Sequence, residues 1–262
     1  MLVIVISSKS NNKIKDTAKL FCSSKKRSQD GLFVVEGLRL CTDALLSDVR
    51  IKTVFVTEDC HKKHKAEIDA LLGKSDEGFY VTQEVLKSIT DTINPQGIVC
   101  VCEIQSKDFL ITENLNAVVL MNVADPSNLG AISRTAEAFG ISLMIVSGGC
   151  DIYNPKALRA SMGALFRLPV IQMNPEKVLE YCKENDIKTF ASTPRKSAIN
   201  IKSADFSARN AMIIGNEANG LDDFVLNSCD QQVTIPMIGR AESLNAATAA
   251  SVLMYEMVRK DI

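Results

Sequence analysis

The chain has 262 residues, is 46% hydrophobic and carries 30 Lys and Arg against 31 Asp and Glu, for a net charge of −1. That apolar content supplies a sizeable core and excludes a disordered chain. No run approaches the ~18 apolar residues of a membrane span, so no membrane partner is expected, and the near-zero charge excludes a global basic field.

The apolar start, Met1 to Ile6, is too short for the core of a secretion signal, and Lys9 and Lys13 follow it rather than precede it. A cytoplasmic location is expected. Residues 1–27 nevertheless hold seven of the basic residues (Lys9, Lys13, Lys15, Lys19, Lys25, Lys26, Arg27) against the single acid Asp16. Such a local basic segment is either a phosphate contact or a solvated helix face. The eight cysteines are scattered, apart from Cys100 and Cys102. These two alternate within an apolar strand pattern and face the same way. With only His61 and His64 as histidines, no metal site is expected, and the thiols read as free and buried.

In chain order, spacing predicts a helix over 11–22, a strand over 32–35, a helix over 37–46 and a strand over 52–56. A helix over 61–72, a strand over 79–81, a short helix over 83–87 and a strand over 97–102 follow. A polar stretch, Gln105 to Asn114, then breaks the pattern. It divides the chain into an α/β unit over 1–108 and a second domain over 109–262. The second domain opens on the continuous apolar run Ala117 to Met121, as suits a parallel strand covered on both faces. Helix 128–139, strand 142–146, helix 175–185, strands 188–191 and 211–214, helix 221–227, strand 232–235 and a helix over 243–259 complete it. This alternation predicts an α/β fold with a mostly parallel sheet.

Loops at the C-terminal ends of parallel strands form the ligand crevice of such sheets, and three here are unusual. The first runs from Asn122 through Pro126 into a helix. Asn128 is placed to cap that helix. Leu129, Ile132, Ala136 and Phe139 make one apolar stripe, with Arg134 roughly opposite. Arg134 either serves phosphate or ribose recognition or pairs with a nearby acid such as Glu137. The second is Ile213-Ile-Gly-Asn-Glu-Ala-Asn-Gly-Leu221, in which Gly215 would let backbone approach a ligand closely. No Lys-Ser/Thr follows it, so a nucleoside triphosphate site is rejected, and no G-x-G-x-x-G opens the sheet. The third is Ile235-Pro-Met-Ile-Gly-Arg-Ala-Glu-Ser-Leu-Asn-Ala-Ala-Thr248. Ser243 could cap the last helix, whereas Asn245, read as lying inside its first turn, has no such structural reason. Both histidines lie far from these loops in sequence, which disfavours a Ser/His/Asp set.

Together the three loops resemble, in order and position, the motifs of the SpoU (TrmH-like) family of RNA ribose 2′-O-methyltransferases. Phe33-Val-Val-Glu-Gly-Leu-Arg39 and Asn94-Pro-Gln-Gly97 are similar to the substrate-binding domain that precedes the catalytic domain in many members. The resemblance implies a C-terminal α/β domain with a deep trefoil knot, S-adenosylmethionine as cofactor and a homodimer whose site is completed across the interface. It also implies an N-terminal domain of the ribosomal L30e fold that grips RNA. Ribosomal RNA is the expected target, with transfer RNA, or a non-catalytic RNA-binding role, as the alternatives.

By motif position, Arg134 matches the catalytic arginine, Asn128 the motif-one asparagine, Glu217 the motif-two glutamate, and Ser243 with Asn245 the polar pair of motif three. Gly215, Asn216, Ile235, Met237 and Leu244 fall where the family holds the cofactor. Ser127 and Ala218 stand where the family more often has glycine, so altered loop geometry is expected there. Because arginine stays protonated, the role implied for Arg134 is to stabilise a developing alkoxide and to fix a phosphate.

Overall fold

A computed structural model describes residues 4–105, 109–206 and 209–260. The predicted boundary near 108 lies outside the described residues. The chain forms two compact units, the first from Met1–Ser106 with Tyr153–Phe166 and the second from Lys107–Ile152 with Arg167–Ile262. A segment from the second half of the sequence thus belongs to the first unit, which no change in composition announces.

The first unit runs β1 (Ile4–Ile6), α1 (Asn12–Cys22), α2 (Ser24–Asp30), β2 (Leu32–Glu36), α3 (Leu38–Leu46), β3 (Ile51–Val56), α4 (Glu58–Lys63), α5 (Lys65–Lys74), β4 (Glu77–Val81), α6 (Gln83–Leu86) and β5 (Ile98–Glu103). The single helix expected over 61–72 is two, because the backbone leaves the helical region at His64. The sheet order is β1-β4-β3-β5-β2, with β5 antiparallel to both its neighbours and the remaining pairs parallel. Cys41, Cys60, Cys100 and Cys102 lie in one apolar core as buried free thiols, and Leu158 and Phe166 of the later segment complete it.

The basic segment is largely committed to this unit's own structure. Lys9 pairs with Glu84, Lys13 with Glu77, Lys19 with Asp16 and Lys26 with Asp30. Arg27 is only 3% exposed. Its Nη1 donates to the carbonyls of Leu20 (2.6 Å) and Phe21 (3.2 Å), two of the acceptors that the end of α1 leaves unsatisfied. Lys15 and Lys25 are the members of the segment whose side chains make no ion pair or hydrogen bond among the described residues.

The second unit runs β6 (Asn116–Met121), α7 (Pro126–Ala138) and β7 (Leu143–Ser147). After α8 (Pro155–Ser161) and α9 (Ala164–Arg167) it continues through β8 (Val170–Gln172), α10 (Pro175–Glu184), β9 (Lys188–Ser192), β10 (Ile199–Asn200), β11 (Asn210–Ile214), α11 (Asp223–Ser228), β12 (Gln231–Thr234) and α12 (Ala246–Val258). Its seven strands lie in the order β10-β12-β9-β11-β6-β7-β8, and every pair is parallel. All carboxyl ends therefore emerge along one edge of the sheet. Residues Ala117 to Leu120 and Ala211 to Ile213 are almost wholly buried, which is why these strands read as unbroken apolar runs. From β6 the chain proceeds to β7 on one side, and from β11 to β12 on the other. The gap between β6 and β11 is the reversal point where such sheets bind ligands.

Replacing Arg27 by Met should leave two carbonyls of α1 unsatisfied and cost about 2 kcal/mol. Lys25→Met should stay within about 0.5 kcal/mol of the parent. Urea midpoints of the two variants measure the difference.

Candidate active site

Pro126 opens α7, and the helix is capped by Asp125, whose Oδ1 accepts from the Ser127 N–H at 2.7 Å. Asn128 is not the cap. It sits in the first turn, 8% exposed, and its side chain reaches away from its own helix. Asn128 Nδ2 donates to Glu217 Oε1 at 2.8 Å, and Asn128 Oδ1 accepts from Asn245 Nδ2 at 3.0 Å. The same Glu217 carboxylate accepts from the backbone N–H groups of Ala124 and Asp125, each at 3.1 Å. One chain of three side chains therefore joins the loops that follow β6, β11 and β12.

Asn245 is the N-cap of α12, which begins at Ala246 rather than at 243. Its Oδ1 accepts from the N–H groups of Ala247 (2.9 Å) and Thr248 (3.3 Å). The residue thus has a structural reason, contrary to the sequence reading, together with a second bond that reaches Asn128. The reading failed by two residues: Ser243 lies before the helix, in the exposed loop, and caps nothing.

The loop after β11 closes on itself. Asn216 and Gly220 exchange backbone hydrogen bonds at 3.1 and 2.8 Å. Asn216 Oδ1 accepts from the N–H groups of Ala218 and Asn219, and its Nδ2 donates to the carbonyl of Asn122 at 2.8 Å. Asn122 holds a left-handed conformation, φ 56°, which asparagine tolerates better than most residues. A Cβ on Gly215 would lie 2.4 Å from the Gly220 carbonyl carbon. Glycine is therefore required by the loop's own closure. Neither Ser127 nor Ala218 has a positive φ.

Beside this knot of hydrogen bonds lies a cavity of about 370 Å3 at the carboxyl ends of β9, β11 and β12, within the size range of small-ligand sites. Gly215, Asn216, Glu217, Ile235, Met237, Ser243 and Leu244 line it, together with the apolar Ile214, Leu226, Val233 and Leu253. The loop Ser192–Thr193–Pro194–Arg195 after β9 also lines it. Sequence reasoning missed that loop, although Ser-Thr-Pro at the end of a parallel strand was the available signal. Arg195 is the cavity's one cation and is ion-paired to Asp223. Apolar walls, the Glu217 carboxylate and the absence of a free cation among the described lining residues suit an uncharged or cationic molecule and not a polyphosphate.

Asn128, Asn245 and Arg134 are not among the lining residues. Arg134 is exposed on α7, as its position opposite the apolar stripe predicts. It makes no hydrogen bond or ion pair among the described residues. Glu137, the acid available to it one turn away, is instead held by Arg167, with Nη2 to Oε2 at 2.9 Å.

Residues 116–255 match the model of the SpoU rRNA Methylase family. The chain belongs to that family. Residues 11–100 match the MRM3-like substrate binding domain. The chain is 30% identical over 253 residues to the 23S rRNA (guanosine(2553)-2′-O)-methyltransferase of Bacillus subtilis, covering 96% of this chain and 98% of that one. It is 29% identical to the 23S rRNA (uridine(2479)-2′-O)-methyltransferase of Streptomyces viridochromogenes, over 96% and 91% of the two chains. Among solved structures, the AdoMet-bound rRNA methyltransferase of Sinorhizobium meliloti superposes with a TM-score of 0.90 at 29% identity, covering 99% of each chain. All three loops fall inside the matched SpoU segment.

Burial alone would raise the pKa of Glu217. The amide of Asn128 and the N–H groups of Ala124 and Asp125 outweigh it and hold the carboxyl below its usual range. A group lowered in the folded state adds stability that is complete above the unfolded value of about 4.3 and is lost as pH falls through the folded value. Stability should therefore decline as pH drops below about 5, and Glu217→Gln should flatten that decline. Thermal melts of both proteins across acid pH measure this.

Proposed function

We propose that this chain transfers a methyl group from S-adenosylmethionine to a ribose 2′-hydroxyl of ribosomal RNA. The observation that carries this reading is the convergence of three loops on one sheet edge, tied by Glu217, Asn128 and Asn245 beside a cavity without a free cation. Family membership supplies the reaction class, and the two named relatives act on 23S rRNA.

When bound, S-adenosylmethionine supplies an electrophilic methyl carried on a positively charged sulfur. The cavity's apolar walls and the Glu217 carboxylate fit such a molecule. Gly215, Asn216, Ile235, Met237 and Leu244 hold it, largely through backbone groups. Glu217 and Asn128 keep the loops after β6 and β11 in register, so that the cavity has a fixed shape before the substrate arrives. Ser243 lies on the cavity wall, where its hydroxyl orients the incoming ribose. Arg134 carries a guanidinium with no partner among the described residues. It fixes a phosphate and stabilises negative charge developing on the 2′-oxygen, and because it stays protonated it does not remove the proton itself.

Arg134 does not line the cavity of its own chain, and α12 carries the exposed apolar residues Val252 and Tyr255. Both observations support a homodimer in which Arg134 serves the partner's cavity, as the family resemblance implies. The trefoil knot and the L30e-like character of the first unit belong to the same proposal. So does a cytoplasmic location, where ribosomal RNA is available. Among the described residues no helix is long and apolar enough to cross a membrane.

The test is methyl transfer from labelled cofactor to total ribosomal and transfer RNA, with the 2′-O-methyl positions mapped. The parent should label ribosomal RNA. Arg134→Ala should lose about 100-fold or more in rate while calorimetry finds its S-adenosylmethionine affinity unchanged. A full rate in the variant removes the role given to Arg134. Labelling confined to transfer RNA changes the substrate, and absent cofactor binding replaces the enzyme with a binding module.

A further inference from the structure

The first unit contains a second cavity, of about 320 Å3, that the methyl-transfer site does not use. The two segments of this unit that stand out in the sequence meet in it. Glu36, Gly37 and Arg39 come from Phe33–Arg39, and Asn94 and Gln96 come from Asn94–Gly97.

Glu36 is the unusual member. It ends β2, is only 7% exposed and lines the cavity. Oε1 accepts a hydrogen bond from Thr92 Oγ1. Oε2 is buried and has no hydrogen-bond partner. The nearest cation, Arg159 Nη1, is 3.5 Å from Oε2, while the Arg159 guanidinium is engaged by Asp91 at 2.8 and 3.0 Å. A buried carboxylate oxygen without a donor is costly. Glu36 lines the cavity, so a ligand bound there can bring one.

The rest of the cavity narrows the ligand. Gln96 Oε1 accepts from the Leu38 N–H at 3.1 Å, which fixes the amide and leaves its Nε2 donor without a partner among the described residues. The exposed guanidinium of Arg39 is also unpaired among them. Ile93, between two residues that line the cavity, is 89% exposed and offers an apolar surface at its rim. The site thus combines a buried pair of acceptors, donors at the mouth and an apolar face, as in the recognition of unstacked bases of RNA.

We propose that this cavity binds an unstacked guanine of the substrate RNA, read through the Glu36 carboxylate. Guanine alone among the four bases presents two adjacent donors, N1–H and the N2 amine, on its Watson–Crick edge. A carboxylate accepts from both, since each oxygen has two lone pairs and Oε1 uses one for Thr92. Adenine and cytosine set a ring acceptor beside their amine, which would face the carboxylate and repel it. Uracil flanks its single N–H with two carbonyls. The guanine O6 acceptor then lies toward the donors of Gln96 and Arg39. The inference rests on the reading that the chain acts on RNA, and it makes Glu36 a specificity determinant apart from the methyl-transfer residues.

The test measures binding of the full-length chain, by fluorescence anisotropy at fixed salt, to single-stranded uridine octamers carrying one central guanosine, inosine or adenosine. Inosine keeps N1–H and lacks the N2 amine. Guanosine should bind about tenfold tighter than adenosine, in line with one bidentate base contact, with inosine between them. Glu36→Gln preserves shape and the bond from Thr92 but offers one acceptor in place of two. It should erase the guanosine preference while leaving affinity for plain octauridine unchanged, and its thermal melt and S-adenosylmethionine affinity should match the parent's. Equal affinity for the three octamers, no binding of any of them, or a guanosine preference that survives in Glu36→Gln overturns the proposal. Methyl transfer to ribosomal RNA by the parent is scored separately, so a lost guanine preference with intact transfer refutes this inference and spares the functional reading.

Discussion

The second unit depends on one carboxylate. Glu217 stands on the loop after β11, and its two oxygens accept from the backbone of Ala124 and Asp125 and from the side chain of Asn128. Asn216 Nδ2, which donates to the Asn122 carbonyl, also joins the loops after β6 and β11. Asn128 passes the connection on to Asn245, which caps α12. The constraint is mutual. Asn245 can cap the helix and hold Asn128 only if the loop from Ile235 to Leu244 ends where it does. The loops after β6, β11 and β12 are therefore shaped by hydrogen bonds to one another as well as by bonds of their own.

This arrangement separates two tasks that the sequence merges. Asn128 and Asn245 shape the loops without lining the cavity, Glu217 does both, and the rest of the wall is mostly small or apolar residues and backbone. Arg134 belongs to neither group. It is held out in solvent on α7 because Glu137 is occupied by Arg167. A charge without a partner in the folded chain is available for a phosphate or a developing anion. The first unit repeats the pattern in another form, with Glu36 lining a cavity.

Much of this was legible from the residues. The buried parallel sheet followed from the apolar runs at Ala117–Met121 and Ala211–Ile214, and the three unusual loops followed from polar residues clustered at strand ends. The exposed side of α7 followed from helical spacing. What was not legible depended on distance through space. Asp125 and Asn128 are both acceptable caps by residue type, and only the partner 89 residues away shows why Asn128 is free for another bond. Asn245 looked unexplained because the helix start was placed at Ser243. The close approach of Gly220 to Gly215, which also excludes any side chain there, was likewise invisible in the sequence. The ion pairs of the basic segment were not legible either, since two of its acids, Glu77 and Glu84, lie far away in sequence. The family, its cofactor and its reaction came from the motif resemblance and the matches to known proteins, since no composition or spacing encodes a methyl donor.

The most direct measurement of the central claim is a double-mutant cycle on S-adenosylmethionine affinity by calorimetry, using Glu217→Gln, Asn245→Ala and the pair. Neither side chain needs to touch the other for the account to hold, because Asn128 connects them. If the three side chains act as one unit, the double variant should lose less affinity than the sum of the singles, with a coupling of about 1 kcal/mol. Strictly additive losses would contradict the account, because they would mean that the loops after β11 and β12 are shaped independently.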